Sequence, residues 1–336
     1  GSEQKEVDEL TAGEIGAVAK IDELETSDTI CSEGLNFILP EVEFPEPMLI
    51  QAAIPDGDDE KLSSALNRYK LEDPTFKVEY NKETKEMLIR GMGTIHLSVI
   101  NDMCKRKFEV GFKTKTPKVA YKETIQKKTK VEERYKKQSG GRGQYGHVFL
   151  RIEPLSRGKG FEFDEEIFGG AIPKQYIPAV EKGVKEAMEE GALAHYPVVD
   201  VKVVVYDGSY HDVDSSEMAF KIASSKAFRQ GMQKAKPVLL EPIMKVQVTV
   251  PQDFMGDIMG DLNSRRGRIL GMDPQDGHQI INAEVPQAEM FAYTTDLKSI
   301  TGGYGNFEME FSHFAKVPHD EAEEIITQKK REEENN

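Results

Sequence analysis

An order of secondary-structure elements that occurs twice constrains the fold of this chain more than any other feature. Residues 37–112 alternate between strand-like and helical patterns in the order strand, helix, strand, strand, helix, strand. The same order returns over residues 237–316. A βαββαβ unit closes an antiparallel four-stranded sheet with both helices on one face. The sequence therefore predicts a multidomain α+β protein with two ferredoxin-like domains.

Apolar spacing within the first of these units indicates which helix faces are buried. Leu62, Leu66 and Tyr69 recur at helical spacing in the first helix. The second helix has the same spacing, at Ile95, Val99 and Met103. We expect both sets to face the sheet.

The segment between the two units, residues 113–236, has a different pattern: basic strands, a glycine-rich loop and two helices. The first helix follows "AIPKQYIP", and its apolar face is predicted to contain Ile177, Val180, Val184 and Ala187. Asp214 and Glu217 have the spacing of a capping box at the start of the second helix, which Met218 and Ile222 continue with apolar residues. Between the helices, "YPVVDVKVVVYDGSYH" predicts a strand that ends in an Asp-Gly turn carrying His211 and Asp212.

The glycine-rich loop, "SGGRGQYGHV" at 139–148, raises the question of nucleotide binding. No G-x-x-x-x-G-K-[ST] phosphate-binding loop occurs in the chain. Gly141, Gly143 and Gly146 do have the G-x-G-x-x-G spacing of a dinucleotide fingerprint, but the loop is followed by the alternating strand pattern "HVFLRIEPL" instead of the helix that this fingerprint opens. We therefore interpret it as the tip of a strand-to-strand connection.

Charge is distributed very unevenly along the chain. The net charge is −15, but residues 105–158 contain 16 Lys and Arg against 5 Asp and Glu, a balance of +11 that leaves −26 for the rest. One part of an acidic protein is thus basic enough to contact phosphates. The alternative is a solvated, lysine-rich surface without a specific partner.

Residues outside the three predicted domains are too few to form a core of their own. Residues 1–36 have the pattern of the last strands of another domain and a linker, and residues 317–336 predict a charged amphipathic tail or a fraying helix. Two cysteines without a C-x-x-C spacing indicate a reducing compartment, and no apolar run is long enough for a membrane span.

Catalytic and metal-binding patterns do not emerge from the residues. The seven histidines lack metal-ligand spacing, so no metal site is predicted, and "SYHDVDSSE" lacks the context of a nucleophile elbow. Arg265, Arg266 and Arg268 follow a predicted helix end. Their two alternatives are cations that complement the helix dipole and contacts to RNA phosphates.

Five long strings, in the right order, carry a family resemblance: "SGGRGQYGHV", "GSYHDVDSSEMAFKIA", "KAKPVLLEPIMKVQVTVP", "MGDLNSRRGRILGM" and "AEVPQAEMFAYTTDLKSIT". They resemble the C-terminal half of bacterial elongation factor G, the translational GTPase that moves tRNA and mRNA through the ribosome. The resemblance implies the end of the domain II β-barrel at 1–36, domain III at 37–112, domain IV at 113–236 and domain V at 237–316. It also implies a preceding G domain in the intact parent, which would bind GTP and magnesium, whereas this chain as given needs no cofactor.

The functional expectations from the resemblance concern domain IV. It is expected to be an elongated α+β arm of ribosomal-protein-like fold. The arm would enter the decoding region of the small ribosomal subunit. The expected partners are the ribosome and its bound tRNA and mRNA, and a cytoplasmic monomer is expected. The residues expected to contact RNA at its tip are Gly140, Gly141, Arg142, Gly143, Gln144, Tyr145, Gly208, Ser209, Tyr210, His211 and Asp212. Further rRNA contacts are expected from Lys136, Lys137, Arg265, Arg266 and Arg268.

One string departs from the family pattern. Family members devoted to routine elongation commonly have a sequence similar to "KGRASYTMEF" at this place. This chain has "GGYGNFEMEF" at 302–311, so a basic residue is lost. Three functions stay open: the housekeeping translocase, a related factor that acts in ribosome recycling, and an RNA-binding module outside translation.

Overall fold

The structure, a computed structural model, describes residues 5–21, 24–35, 37–138, 143–275 and 277–334. It is a multidomain α+β protein with three separate sheets. None of the helices in this described part of the chain has the length and apolar composition that a bilayer crossing requires.

The first domain has the predicted βαββαβ order. Its elements are β1 (Leu49–Pro55), α1 (Asp59–Glu72), β2 (Lys77–Asn81), β3 (Glu86–Gly91), α2 (Thr94–Phe108) and β4 (Phe112–Lys115). The strands pair antiparallel in the order β2-β3-β1-β4, which is the ferredoxin-like arrangement. Leu62, Leu66 and Tyr69 of α1 are fully buried, as the helical spacing predicted.

The predicted buried face of α2 is wrong for two of its three residues, since only Met103 packs against the core, where it is partly buried. Ile95 and Val99 are 79% and 47% exposed. The residues that enter the core are Leu97, Ile100 and Cys104. Both sets satisfy the spacing of a helical stripe, so spacing alone does not decide between them. The tertiary contacts of α2 decide its rotation, among them the hydrogen bond of 3.0 Å that joins His96 Nε2 to the Asp73 carboxylate beyond α1.

The middle domain places two helices against a mixed sheet. Its elements are β5 (Lys122–Ile125), β6 (Thr129–Lys137), β7 (Gln144–Pro154), β8 (Phe161–Glu165), α3 (Ile177–Glu190), β9 (Val201–Ser209) and α4 (Glu217–Lys234). The sheet has the order β6-β7-β9-β8, in which only β8 and β9 run parallel. Val180, Val184 and Ala187 of α3 are buried as predicted, with Ile177 partly buried beside them.

Two local predictions in this domain are wrong. Asp207 and Gly208 do not form a turn, because β9 continues through Ser209 with a register shift in its pairing to β7. The N-cap of α4 is Ser216, whose side chain accepts from Ala219 N, and not Asp214. Asp214 has partners across the domain instead, described below. Met218, expected on the apolar side, is 53% exposed because the neighbouring Ala219 and Phe220 face the core.

The third domain repeats the ferredoxin-like order on a longer first strand. Its elements are β10 (Pro237–Pro251), α5 (Met255–Ser264), β11 (Arg268–Gln275), β12 (His278–Pro286), α6 (Gln287–Met290), α7 (Tyr293–Ile300) and β13 (Asn306–Lys316). The strand order is β11-β12-β10-β13. The first residues of β10 also pair antiparallel with β5, so one 15-residue strand joins the middle and third domains.

The two ends of the chain differ in how they are packed. The tail forms a helix, α8 (His319–Glu334), which packs Ala322, Ile325 and Ile326 against a cluster containing Leu239 and Ala194. By contrast, no helix or strand forms among the described residues before β1. A strand needs a partner for its backbone hydrogen bonds, and the described part of the chain pairs none with this segment. Its assignment to the end of a β-barrel domain stays a prediction.

Candidate nucleic-acid interface

Strand pairing brings the two predicted tip loops to one end of the middle domain. The β6–β7 hairpin ends at Lys137 and Gln144, which face each other across the ladder. In the β7–β9 ladder His147 pairs with Ser209, the last residue of β9. The connections that follow Lys137 and Ser209 therefore leave the sheet at the same end. Gly140, Gly141 and Arg142 lie outside the described residues.

Asp214 and Ser215 tie the two loops together. Gly143 N donates to the Asp214 carboxylate at 3.0 Å, and Tyr145 N donates to the Asp214 carbonyl at 2.9 Å. The Ser215 hydroxyl, which is buried, donates to the Tyr145 carbonyl at 3.0 Å. Buried or partly buried bonds of this kind hold a loop in one conformation. The described residues of the two loops thus form one connected surface.

Close packing inside the domain explains two of the glycines. A Cβ on Gly146 would lie 2.6 Å from the Ala219 carbonyl, so β7 and α4 approach one another only because this side chain is absent. A Cβ on Gly208 would collide with the His147 carbonyl and the Ile172 side chain. Approach to RNA is therefore not needed to account for either glycine.

The two ring nitrogens of His211 have different environments. Nδ1 accepts hydrogen bonds from Val213 N and Asp214 N, both at 3.3 Å. In a neutral imidazole the nitrogen that accepts carries no proton, so the proton lies on Nε2. The side chain is 56% exposed. His211 therefore presents a hydrogen-bond donor at the surface while its other nitrogen holds the loop.

A chain of polar side chains runs beneath the tip from β6 to Tyr145. His147 Nε2 lies 3.0 Å from the Glu132 carboxylate, and its Nδ1 lies 2.8 Å from the Ser209 hydroxyl. The Ser209 oxygen lies 2.7 Å from the Tyr145 hydroxyl. His147 is buried and Tyr145 half-buried. The sequence prediction included Tyr145 and Ser209 but missed Glu132 and His147, which come together only through strand register.

Comparison with known proteins assigns all three domains. Models of elongation factor G domain III, elongation factor G domain IV and the elongation factor G C-terminus match residues 44–116, 117–236 and 238–325. The chain belongs to the elongation factor G family. A crystal structure of a protein from Thermus thermophilus is similar, with a TM-score of 0.77 and 44% sequence identity. The match covers 87% of this chain and 44% of that protein, so the chain spans less than half of its length.

A third loop of domain IV reaches the same end and was missed in the sequence. Because β8 and β9 are parallel, the residues that follow β8 leave the sheet beside those that follow β9. Ile172 packs next to Gly208, and the Tyr176 hydroxyl donates to the Ser215 carbonyl at 3.4 Å. Earlier in this loop, between β8 and Ile172, Phe168 is 95% exposed and precedes two glycines with left-handed backbone angles. An aromatic side chain so exposed on a positioned loop is a candidate contact residue.

The remaining predicted residues of domain IV line the same end. Lys136 and Lys137 are exposed at the last positions of β6, Tyr210 is 46% exposed, and Asp212 is exposed. Gln144 is partly buried, and its amide oxygen accepts from the Tyr135 hydroxyl at 3.0 Å. Positive charge, hydrogen-bonding groups and aromatic rings are thus combined on one surface, which is the composition of a sequence-tolerant RNA contact.

In domain V, the arginines after α5 have internal partners. Arg265 binds Asp261 and Asp296 at 2.8 and 2.6 Å, and Arg266 binds the buried Glu241 at 2.7 Å. Burial lowers the pKa of Arg266, but its hydrogen bonds and the charge of Glu241 outweigh this and raise it. These contacts favour the structural alternative for both. Arg268 is bound to Glu284 but remains 74% exposed, so a contact to RNA stays a prediction.

Proposed function

We propose that this chain is the ribosome-binding part of a translational GTPase and that it promotes translocation of tRNA and mRNA. Domain IV would enter the decoding region of the small subunit and occupy the space that the tRNA has left. The observation that supports this most directly is the tip itself, where Asp214 and Ser215 join two loops distant in sequence beside exposed lysines.

The mechanism is steric and electrostatic. The described residues of the tip have their hydrogen bonds already formed, so they would lose little conformational entropy on meeting RNA and could replace the contacts that the tRNA gives up. Lys136 and Lys137 supply charge for phosphates without reading a sequence. GTP and magnesium would act in the G domain of the intact parent, and the protein would work in the cytoplasm as a monomer.

A second candidate function is ribosome recycling by a related factor. It is favoured by the departure at 302–311, where Tyr304 is 76% exposed before β13 and a basic residue of the family pattern is lost. Translocation and subunit splitting measured separately with the full-length protein distinguish the two. A protein that splits ribosomes but does not translocate would replace the first proposal with the second.

Binding to small ribosomal subunits at increasing salt tests the proposed interface. Phosphate contacts release counterions, so affinity should fall by orders of magnitude between about 50 and 200 mM salt. Lys136→Glu combined with Lys137→Glu should weaken binding and flatten this dependence. The matched control is Lys70→Glu with Lys82→Glu, which changes the same charge at exposed positions of domain III. Equal losses in both double variants, or salt-independent binding, would contradict the assignment of the interface to the tip.

A further inference from the structure

The polar chain beneath the tip determines where each of its protons lies. A glutamate carboxylate only accepts hydrogen bonds at neutral pH, so His147 must donate its Nε2 proton to Glu132. In a ring that carries a single proton, on Nε2, Nδ1 is unprotonated and accepts the proton of the Ser209 hydroxyl at 2.8 Å. The other tautomer would place a lone pair against the carboxylate and is disfavoured.

The direction of this chain fixes the role of Tyr145. With its own proton donated to His147, the Ser209 oxygen can only accept from Tyr145, at 2.7 Å. A tyrosine hydroxyl has one proton and can also accept. That proton is used inside the domain, so the hydroxyl is left with accepting capacity for any outside partner. Tyr145 is half-buried, which leaves part of its surface open to one.

We propose that Tyr145 accepts a hydrogen bond from a donor group of RNA, either a ribose 2′-hydroxyl or a guanine amine, and that Ser209, His147 and Glu132 are positioning residues that hold its proton inward. This inference rests on the proposed function, because it takes the tip of domain IV as the RNA-contacting surface. A phosphate, which only accepts, cannot satisfy Tyr145 in this state.

The neighbouring histidine complements this arrangement. The rings of Tyr145 and His211 lie 6.3 Å apart between centroids, and His211 presents a donor through Nε2. An acceptor and a donor therefore lie side by side on the tip. A ribose offers a 2′-hydroxyl donor close to its phosphate acceptors, so RNA matches this pair, whereas DNA lacks the donor.

The test measures binding of the full chain to small ribosomal subunits that carry an mRNA and a tRNA anticodon stem–loop. The RNA pair is used in three forms: unmodified, with 2′-O-methyl riboses in codon and anticodon loop, and with inosine in place of guanosine. Tyr145→Phe removes the hydroxyl and keeps the ring. One hydrogen bond corresponds to a loss of roughly twofold to tenfold in affinity. A double-mutant cycle then shows whether the hydroxyl and the RNA group interact.

We expect 2′-O-methylation of the RNA to lower the affinity of the wild-type chain. Tyr145→Phe should lower the affinity for unmodified RNA by the same factor, and methylation should then cause no further loss. Ser209→Ala should abolish the coupling although the Tyr145 hydroxyl remains, and Ser209→Thr, which restores a hydroxyl, should recover it. A merely structural role for Ser209 would lower affinity for all three RNAs alike. Coupling to inosine instead of the methylated ribose would support the acceptor role with the guanine amine as donor.

Two results would count against the inference, and they differ in what they overturn. In one result, Tyr145→Phe and the RNA change lower the affinity independently, both for 2′-O-methylation and for inosine, while the wild-type chain binds tightly. This result would overturn the acceptor role and leave the proposed function intact. Failure of the wild-type chain to bind any of the three complexes would overturn the proposed function, and the inference with it. Thermal unfolding of each variant shows that the domain has kept its fold.

Discussion

At the tip, one residue can both stabilise a loop and contact a partner, and substitutions at His211 can separate these two roles. Nδ1 accepts from two backbone N–H groups, which leaves Nε2 as the donor of a side chain that is 56% exposed. An asparagine carries an acceptor near the position of Nδ1, and a glutamine reaches further and offers a donor near Nε2. We expect His211→Asn to keep stability within about 0.5 kcal/mol, the effect of a neutral surface change, and to weaken binding to small subunits. His211→Gln should cost about 1–3 kcal/mol, because it gives up the two hydrogen bonds that Nδ1 accepts, and it should bind better than His211→Asn.

Equilibrium unfolding and subunit binding measured on both variants check this prediction. If His211→Asn bound like the wild-type chain, Nε2 would have no part in recognition.

Glu123 on β5 is the residue whose loss should cost most stability. Its buried carboxylate accepts from four backbone N–H groups in the segment after α3, those of Ala192, Leu193, Ala194 and Tyr196, at 2.7 to 3.1 Å. Glu123→Gln leaves only one accepting oxygen and adds an unpaired amide. We expect a loss of about 2–4 kcal/mol in the free energy of unfolding, as for lost hydrogen bonds to a buried charge.

The control for Glu123 is Glu308→Gln, the same substitution at an exposed position of β13. Denaturant midpoints of the two variants give the comparison. Equal midpoints would mean that the segment after α3 holds its conformation without the carboxylate.

Among the elements, the loop after β8 is the one whose role is least expected from its sequence. The chain contains no tryptophan, so Phe168→Trp introduces a unique fluorophore. If the third loop contacts RNA, stacking of a base on residue 168 should quench its emission when the chain binds small subunits. Tyr80→Trp, at a residue 60% exposed on β2 of domain III, is the control. Unchanged emission at 168 in a bound complex, or a blue shift without quenching, would place this loop against protein or solvent.

At the scale of the whole molecule, domains IV and V are joined at two places. Strand β10 pairs with β5, and α8 bridges the domains by packing on Ala194 and Leu239 and by pairing Glu321 with Arg266 at 2.8 Å. Domain III shares no strand pairing with either of them among the described residues and contacts them through side chains: Thr294 donates to the Met48 carbonyl at 2.8 Å, Lys298 to the Met92 carbonyl at 3.2 Å, and Lys122 pairs with Glu83 at 2.6 Å. We therefore expect domain IV to move together with domain V.

The junction at α8 predicts a pH dependence. Burial raises the pKa of the Glu321 carboxyl, and although Arg266 opposes this, Glu241 and Glu289 add to it. The folded state thus holds this proton more tightly than the unfolded state, so ionisation of Glu321 costs stability as the pH rises above 4.5, its ordinary value. Glu321→Gln should be at least as stable as the wild type at about pH 7, and the difference should close below about pH 4.5.

Unfolding curves of wild type and Glu321→Gln across this pH range give the difference in their free energies of unfolding and so test this prediction. A variant that loses stability relative to the wild type as the pH rises would show that the ion pair with Arg266 dominates.

The sequence by itself determined the order and type of the elements, because periodicity and turn residues are local properties of the chain. The two βαββαβ units, the buried face of α1 and the ends of the tip hairpin followed from it. Family strings added which domains these are, through residues matched along the chain.

Only the tertiary structure decided which side of each element meets which neighbour. It selected Leu97 over Ile95 on α2, and it placed Asp214 across the tip while Ser216 capped α4. It also brought His147 to Glu132 and Ser209, and the loop after β8 to the end of the sheet at which β9 ends. Each of these depends on strand register and helix rotation, which are set by contacts between residues far apart in the chain. Local spacing is compatible with more than one such arrangement, and packing of the whole domain selects one.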